Sequence, residues 1–159
     1  MNKSESVDMG KYSGFGCGGR ARRLYEVENR KELQKLISSL KTNNGNYYIL
    51  GGGYNTLIAG GEIDTVVIML KKEFSEISVS GEILSAGAGA SLGELLKISS
   101  EKNLSGLEFL SGVPGTVGGA LSLNAGTAKS YIGDLVRDVE ILNTEKITIE
   151  NLKKNDFAF

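Results

Sequence analysis

Three consecutive glycines, Gly51-Gly52-Gly53, stand directly after the apolar run Tyr47-Tyr48-Ile49-Leu50, and this junction constrains the chain more than any other. Glycine has no Cβ, so it reaches backbone conformations closed to other residues, and each ordered glycine costs about 0.5–1 kcal/mol in chain entropy relative to alanine. The sequence carries 22 glycines and one proline in 159 residues. They stand in clusters between aliphatic stretches, whereas a disordered linker would mix them with Ser, Pro and Gln. A fold keeps such clusters where its backbone bends sharply or approaches something closely.

In Gly51-Gly52-Gly53-Tyr54-Asn55-Thr56, successive N–H groups can converge on one point, a nest for an anion. Asn55 and Thr56 add side-chain donors. Hydrogen bonds to a charged group contribute about 1.5–3 kcal/mol each, so a few of them hold a pyrophosphate without a lysine. The competing reading is a tight turn that needs only a positive φ. Three glycines followed by an amide exceed what a turn requires. No Gly-Lys-Ser/Thr follows, which excludes a P-loop, and Gly60-Gly61 leads into a strand where a Rossmann turn would open a helix.

A second cluster, Ser111-Gly112-Val113-Pro114-Gly115-Thr116-Val117-Gly118-Gly119-Ala120, suits a loop lying flat against a planar ring, and Asn124-Ala125-Gly126 continues it. The alternative is a close-packed helix entry. Gly87-Ala88-Gly89-Ala90-Ser91-Leu92-Gly93 imitates a dinucleotide fingerprint, but its third glycine is one residue late; it is read as close helix–strand packing. Gly14-Phe15-Gly16-Cys17-Gly18-Gly19 precedes a strand and is read as a flexible bend.

Composition removes whole classes of chemistry. Histidine is absent and Cys17 is the only cysteine, so Ser-His and Cys-His catalysis, internal disulfides and cysteine zinc sites are excluded. Net charge is −1 with Lys and Arg scattered, so no nucleic-acid partner is expected. No apolar run approaches the roughly 20 residues of a membrane span. Residues 1–6 lack the apolar core of a signal peptide, and a cytoplasmic location is the expectation.

Periodicity supplies the elements. Residues 24–28 alternate as a strand, and Asn29 caps a helix to about Leu40, whose Leu33, Leu36, Ile37 and Leu40 share one face. Residues 47–50 and 65–70 are strands, the latter apolar enough to be covered on both faces. Residues 1–71 thus form a first lobe, β-α-β-loop-β, and residues 72–159 a second, expected to be incomplete at its C-terminal end. In the second, strands at 77–79 and 83–86 flank a Ser80-Gly81 turn, and Ser91 opens a helix ended by Asn103. Residues 104–126 are irregular, with a short helix after Pro114. Residues 136–142 and 146–149 make a final hairpin in which Arg137 and Asp138 are a solvated pair.

Taken together, the clusters resemble the UDP-N-acetylenolpyruvoylglucosamine reductase (UDP-N-acetylmuramate dehydrogenase) family. Residues 13–19 resemble its Asn-Thr-Phe-x-x-Gly-Gly segment, degenerate at the first two positions. Leu50-Gly51-Gly52-Gly53-Tyr54-Asn55-Thr56-Leu57 resembles its Gly-Gly-Gly-Ser-Asn pyrophosphate loop, with Tyr54 in the serine's place. Residues 106–119 match its long glycine motif almost letter for letter, and Asn124-Ala125-Gly126 stands where the family has Asn-x-Gly beside the flavin.

The resemblance implies an α+β fold of the vanillyl-alcohol-oxidase type, two lobes with FAD between them. It also implies NADPH as reductant and a UDP-sugar enolpyruvyl ether as substrate in peptidoglycan synthesis. The implied FAD contacts are Gly51, Gly52, Gly53, Tyr54, Asn55, Thr56, Ser111, Gly112, Pro114, Gly115, Thr116, Gly118, Gly119, Ser122, Asn124, Ala125 and Gly126. The family's arginine, serine and glutamate have no counterpart, so no catalytic residue is assigned. Asp156-Phe157-Ala158-Phe159 resembles the approach to the arginine segment. A chain that binds FAD without full turnover is expected, with the substrate domain absent. One alternative is a flavin-binding module with an incomplete sheet edge open to self-association or a partner chain, and another is a degenerate, non-catalytic remnant. Cys17 falls at an ordinarily apolar position and is expected to be packed.

Overall fold

The structure is a computed structural model and describes residues 1–156; the expectation placed on Phe157-Ala158-Phe159 lies outside the described residues. Strand β1 (Asn2–Asp8) runs antiparallel to β2 (Arg20–Val27). Helix α1 (Arg30–Thr42) follows, started by Asn29, whose side chain accepts the Glu32 N–H at 3.0 Å. Strand β3 (Tyr47–Ile49), the short β4 (Glu62–Ile63) and β5 (Val66–Leu70) complete a sheet ordered β1-β2-β5-β3, with β4 also on β2. Strand β5 lies parallel to both neighbours, Val67 opposite Leu24 and Tyr48.

The apolar run of β5 is covered on both faces, as its sequence requires. Val66 and Ile68 join Val27 and the Leu33, Leu36, Ile37 and Leu40 stripe of α1. Val67 turns the other way, onto Met9, Ala21, Leu24 and Leu50. Strand β1 was not foreseen. Apart from Val7 its residues are polar and exposed, so no apolar alternation marks it as the sheet's edge.

Strands β6 (Ile77–Ser80) and β7 (Ile83–Ala86) form a hairpin turned at Gly81, with φ 61°. Helix α2 (Leu92–Glu101) is capped by Ser91, which accepts the Glu94 N–H at 3.2 Å, and Asn103 takes φ 54° just past its end. The short helices α3 (Val117–Ser122) and α4 (Ile132–Leu135) bury Ala120 and Ile132 against Leu92 and Leu110. Of these, α4 was not foreseen; a single turn leaves no periodicity to find. Strands β8 (Asp138–Asn143) and β9 (Thr148–Lys153) make the last hairpin.

That hairpin docks on the first lobe. Leu142 and Ile147 pack against the α1 core, Gln34 Nε2 donates to the Ile147 carbonyl at 3.0 Å, and Lys41 Nζ donates to that of Glu145 at 3.0 Å. Arg30, at the start of α1, bridges Glu73 and, at 2.7 Å, Glu140. Arg137 and Asp138 pair at 3.0 Å, as expected, and Lys153 joins them at 3.6 Å.

Ile68 is fully buried between α1 and β2. Ile68→Ala is expected to lower unfolding stability by about 2–5 kcal/mol in urea titrations, and a loss below about 0.5 kcal/mol would contradict this core.

Candidate functional site

Two glycine loops from distant parts of the chain meet backbone to backbone. Residues 51–56 leave the end of β3, and residues 111–116 lead into α3. A Cβ placed on Gly52 would lie 2.9 Å from Cα of Gly115, and one on Gly51 would lie 2.7 Å from Thr116 Oγ1. Gly53 has φ 71°, and its Cβ would overlap the Tyr12 carbonyl oxygen. The glycine triplet is therefore required in part by packing, and its cost cannot all be assigned to a ligand.

The donors separate the two uses. The N–H groups of Gly51, Gly52, Gly53, Gly115 and Thr116 find no backbone acceptor among the described residues. Deeper in the second loop the donors are engaged: Val117 with Ala90 O and Gly118 with Ala88 O, both at 2.8 Å, and Gly119 with Thr116 Oγ1 at 3.3 Å. Five uncommitted donors thus stand on two touching loops, a bare, N–H-rich cradle of the kind that can take an anion. A pyrophosphate fits such a donor set, which is neutral, short of Cβ atoms and rich in N–H.

Beside the cradle is a cavity of about 430 Å³. It brings together Gly52, Tyr54, Gly112, Pro114, Gly115 and Thr116 from the expected set, with Ser91, Gly93, Leu96 and Val113, which the sequence reading missed. No sequence signal joins the first turns of α2 to these loops. They meet through the Leu92 N–H, which donates to the Gly115 carbonyl at 3.0 Å. Gly112 and Gly115 have φ of 79° and 131°, and a Cβ on either would meet nothing within 4 Å.

The other expected residues lie apart from this cavity. Asn55 and Ser111 are exposed on their loops, and Thr56 is half-buried. Gly118 packs on Ala88, and Ser122 Oγ donates to the Gly119 carbonyl at 2.9 Å. Asn124 Oδ1 accepts the Gly133 N–H at 3.0 Å, Ala125 packs on the α3–α4 core, and Gly126 bridges to Tyr131. These contacts give the Asn124-Ala125-Gly126 segment a structural use of its own.

The first glycine cluster is not a free bend. Gly14 N–H donates to the Gly53 carbonyl at 2.9 Å and Gly19 N–H to that of Ala59 at 2.8 Å, which fastens it to the 51–56 loop. Cys17 is exposed, so the expectation that it packs is corrected: the loop turns its side chain outward between glycines that bury nothing around it. The fingerprint-like Gly87 and Gly89 are packing positions, as read, since a Cβ on either would overlap the backbone of Phe74 or Leu70.

A larger groove, about 1650 Å³, lies between the β6–β7 and β8–β9 hairpins, α2 and the start of α1. Leu84, Ala86, Leu95, Val139, Ile141 and Ile149 give it an apolar lining, and of the expected FAD contacts only Gly118 reaches it. Its walls are those of an uncovered core. Asp138 lines this groove, and Glu150 stands on the adjoining strand β9; both carboxyls are held below their usual range. Arg137, then Lys153, lowers Asp138, and Asn143, then Lys146, lowers Glu150.

Comparison with known proteins agrees with the loops. The model of a family described as an FAD binding domain matches residues 21–150, and the chain belongs to that family. Its relatives define the branch more narrowly. UDP-N-acetylenolpyruvoylglucosamine reductase of Desulfosudis oleivorans is 36% identical over 95% of this chain and 50% of its own length. That of Clostridioides difficile is 36% identical over 86% and 45%. The crystal structure of the Thermus caldophilus reductase superposes with a TM-score of 0.79 at 30% identity, covering 99% of this chain and 54% of that one. A cholesterol oxidase shares the fold, with a TM-score of 0.71 at 19% identity over 91% of this chain and 32% of that one. The likeness read from the glycine motifs therefore holds, as does the vanillyl-alcohol-oxidase-type α+β fold. The chain spans about half the length of the curated relatives it matches.

Gly53→Ala should cost well over the 1–2 kcal/mol of a left-handed alanine, because its methyl also meets Tyr12. Gly16→Ala, at φ 65° with nothing within 4 Å, should cost only about that amount in the same urea titration. Equal losses would contradict the close approach of Gly53 to Tyr12.

Proposed function

We propose that the chain binds FAD where the two loops meet. The N–H groups of Gly51, Gly52, Gly53, Gly115 and Thr116 take the pyrophosphate, and Asn55 and Thr56 add side-chain donors. The observation that carries this reading is the set of five N–H groups without backbone acceptors on loops held together by missing Cβ atoms. One loop comes from residues 1–71 and the other from residues 72–159, so FAD lies between two lobes. Gly118, Gly119, Ser122, Asn124, Ala125 and Gly126 extend the site along α3 toward α4.

Bound FAD supplies the hydride chemistry, while the residues of this chain bind and orient it. In the whole reductase the electrons come from NADPH and go to the enolpyruvyl group of the UDP-sugar, giving UDP-N-acetylmuramate in the cytoplasm. That reaction needs the length that the relatives have beyond this match. Among the described residues no helix is long and apolar enough to cross a membrane.

The test is a visible spectrum of the purified chain after FAD is added and free FAD is filtered away. Flavin bands are expected to stay with the protein, and colourless protein would refute the reading. Gly52→Val, which drives the loops apart, should lose at least tenfold in FAD affinity, roughly one charged hydrogen bond. An unchanged affinity would contradict the cradle. NADPH should not be consumed by the FAD-loaded chain with UDP-sugar present.

The apolar groove favours one second reading, in which the chain works with a partner that covers it. Sedimentation would then show concentration-dependent association, and a monomer at all concentrations would dismiss self-association.

A further inference from the structure

Tyr54 is a large aromatic residue left 53% exposed at the mouth of the cavity, and its ring is held by its edges. A Cβ on Gly14 would lie 2.8 Å from Cδ1 of the ring, and one on Gly52 would lie 2.9 Å from Cδ2. Only because both neighbours lack that atom can the ring lie there. Leu96, Val113 and Pro114 give the same cavity an apolar wall, beside the Ser91 and Thr116 hydroxyls that accept the Glu94 and Gly119 N–H groups. Gly112 and Gly115, held as glycine by φ of 79° and 131°, face open space and leave their side of the cavity bare. A phosphate would gain from the free N–H groups but nothing from the apolar wall, whereas a flat ring gains from that wall and from an aromatic neighbour.

We propose that Tyr54 and the facing wall of Leu96, Val113 and Pro114 form a subsite for a planar ring of the dinucleotide, next to the N–H cradle. The proposal rests on the FAD reading above. Tyr54 acts here through its ring, and the phenol oxygen is secondary. It sets how one end of the ligand lies once the pyrophosphate is held.

The test titrates FAD, FMN and ADP into the wild-type chain and into Tyr54→Phe and Tyr54→Ser. It follows flavin fluorescence for the first two ligands and heat of binding for all three. Loss of one ring stack predicts about tenfold or more weaker FAD binding in Tyr54→Ser, with Tyr54→Phe within about threefold of wild type. The same loss should appear for only one of the fragments: for FMN if the isoalloxazine lies on Tyr54, for ADP if the adenine does. Wild-type affinity in Tyr54→Ser overturns the proposal, and so does a Tyr54→Phe loss equal to that of Tyr54→Ser, which would place the contact at the hydroxyl. Losses shared by FMN and ADP, or absent from both, also overturn it. If wild type itself fails to bind FAD, the FAD reading falls. If wild type binds and Tyr54→Ser is unchanged, only the ring subsite falls. Circular dichroism and melting temperatures matched to wild type show that each variant is folded.

Discussion

Close backbone approach is the constraint on which the candidate site depends. Gly52 lies against Gly115, Gly51 against the Thr116 hydroxyl, Gly53 against Tyr12 and Gly118 against Ala88, each at a spacing that a Cβ would violate. Remove that tolerance at one point and the loops part. The cavity beside them then loses a wall. Side-chain packing holds the α1 and β5 core on one side and Leu92, Leu110 and Ile132 on the other. Where the two glycine loops meet, backbone takes over that role.

This double use of glycine explains what could be read in advance. A triplet of glycines after a strand marks a place where the chain must be bare, and the structure is bare there. The sequence does not say what fills the space. Gly53 and Gly118 turn out to be filled by protein, whereas Gly112 and Gly115 face an opening. The walls at Ser91, Gly93 and Leu96 escaped notice because they reach the loops through a contact between Leu92 and Gly115, distant in the chain and without any local pattern.

The elements follow the same division. Helix α1 and strand β5 were legible because their burial repeats at a period, one face for the helix and both faces for the strand. Strand β1 was not, because an edge strand exposed along nearly its whole length needs no apolar alternation. Cys17 was misjudged for a related reason: its ordinarily apolar position suggested burial, but a loop of glycines has nothing to bury it with. The half-length match to the reductases gives the apolar groove a natural setting. Two two-stranded sheets, β6–β7 and β8–β9, flank it without pairing to each other, and hairpins of that size gain little stability alone.

The docking of the β8–β9 hairpin on α1 also bears on how the chain is made. In sequence, 113 residues separate Gln34 from Ile147, to which it is hydrogen-bonded. At about 5–20 residues per second on the ribosome, roughly 6–23 s pass between the synthesis of the helix and that of its cover. During that interval α1 has its own sheet but lacks Leu142 and Ile147 along one flank. The nascent chain thus carries a greasy margin that chaperones can hold until Leu142 and Ile147 arrive to cover it.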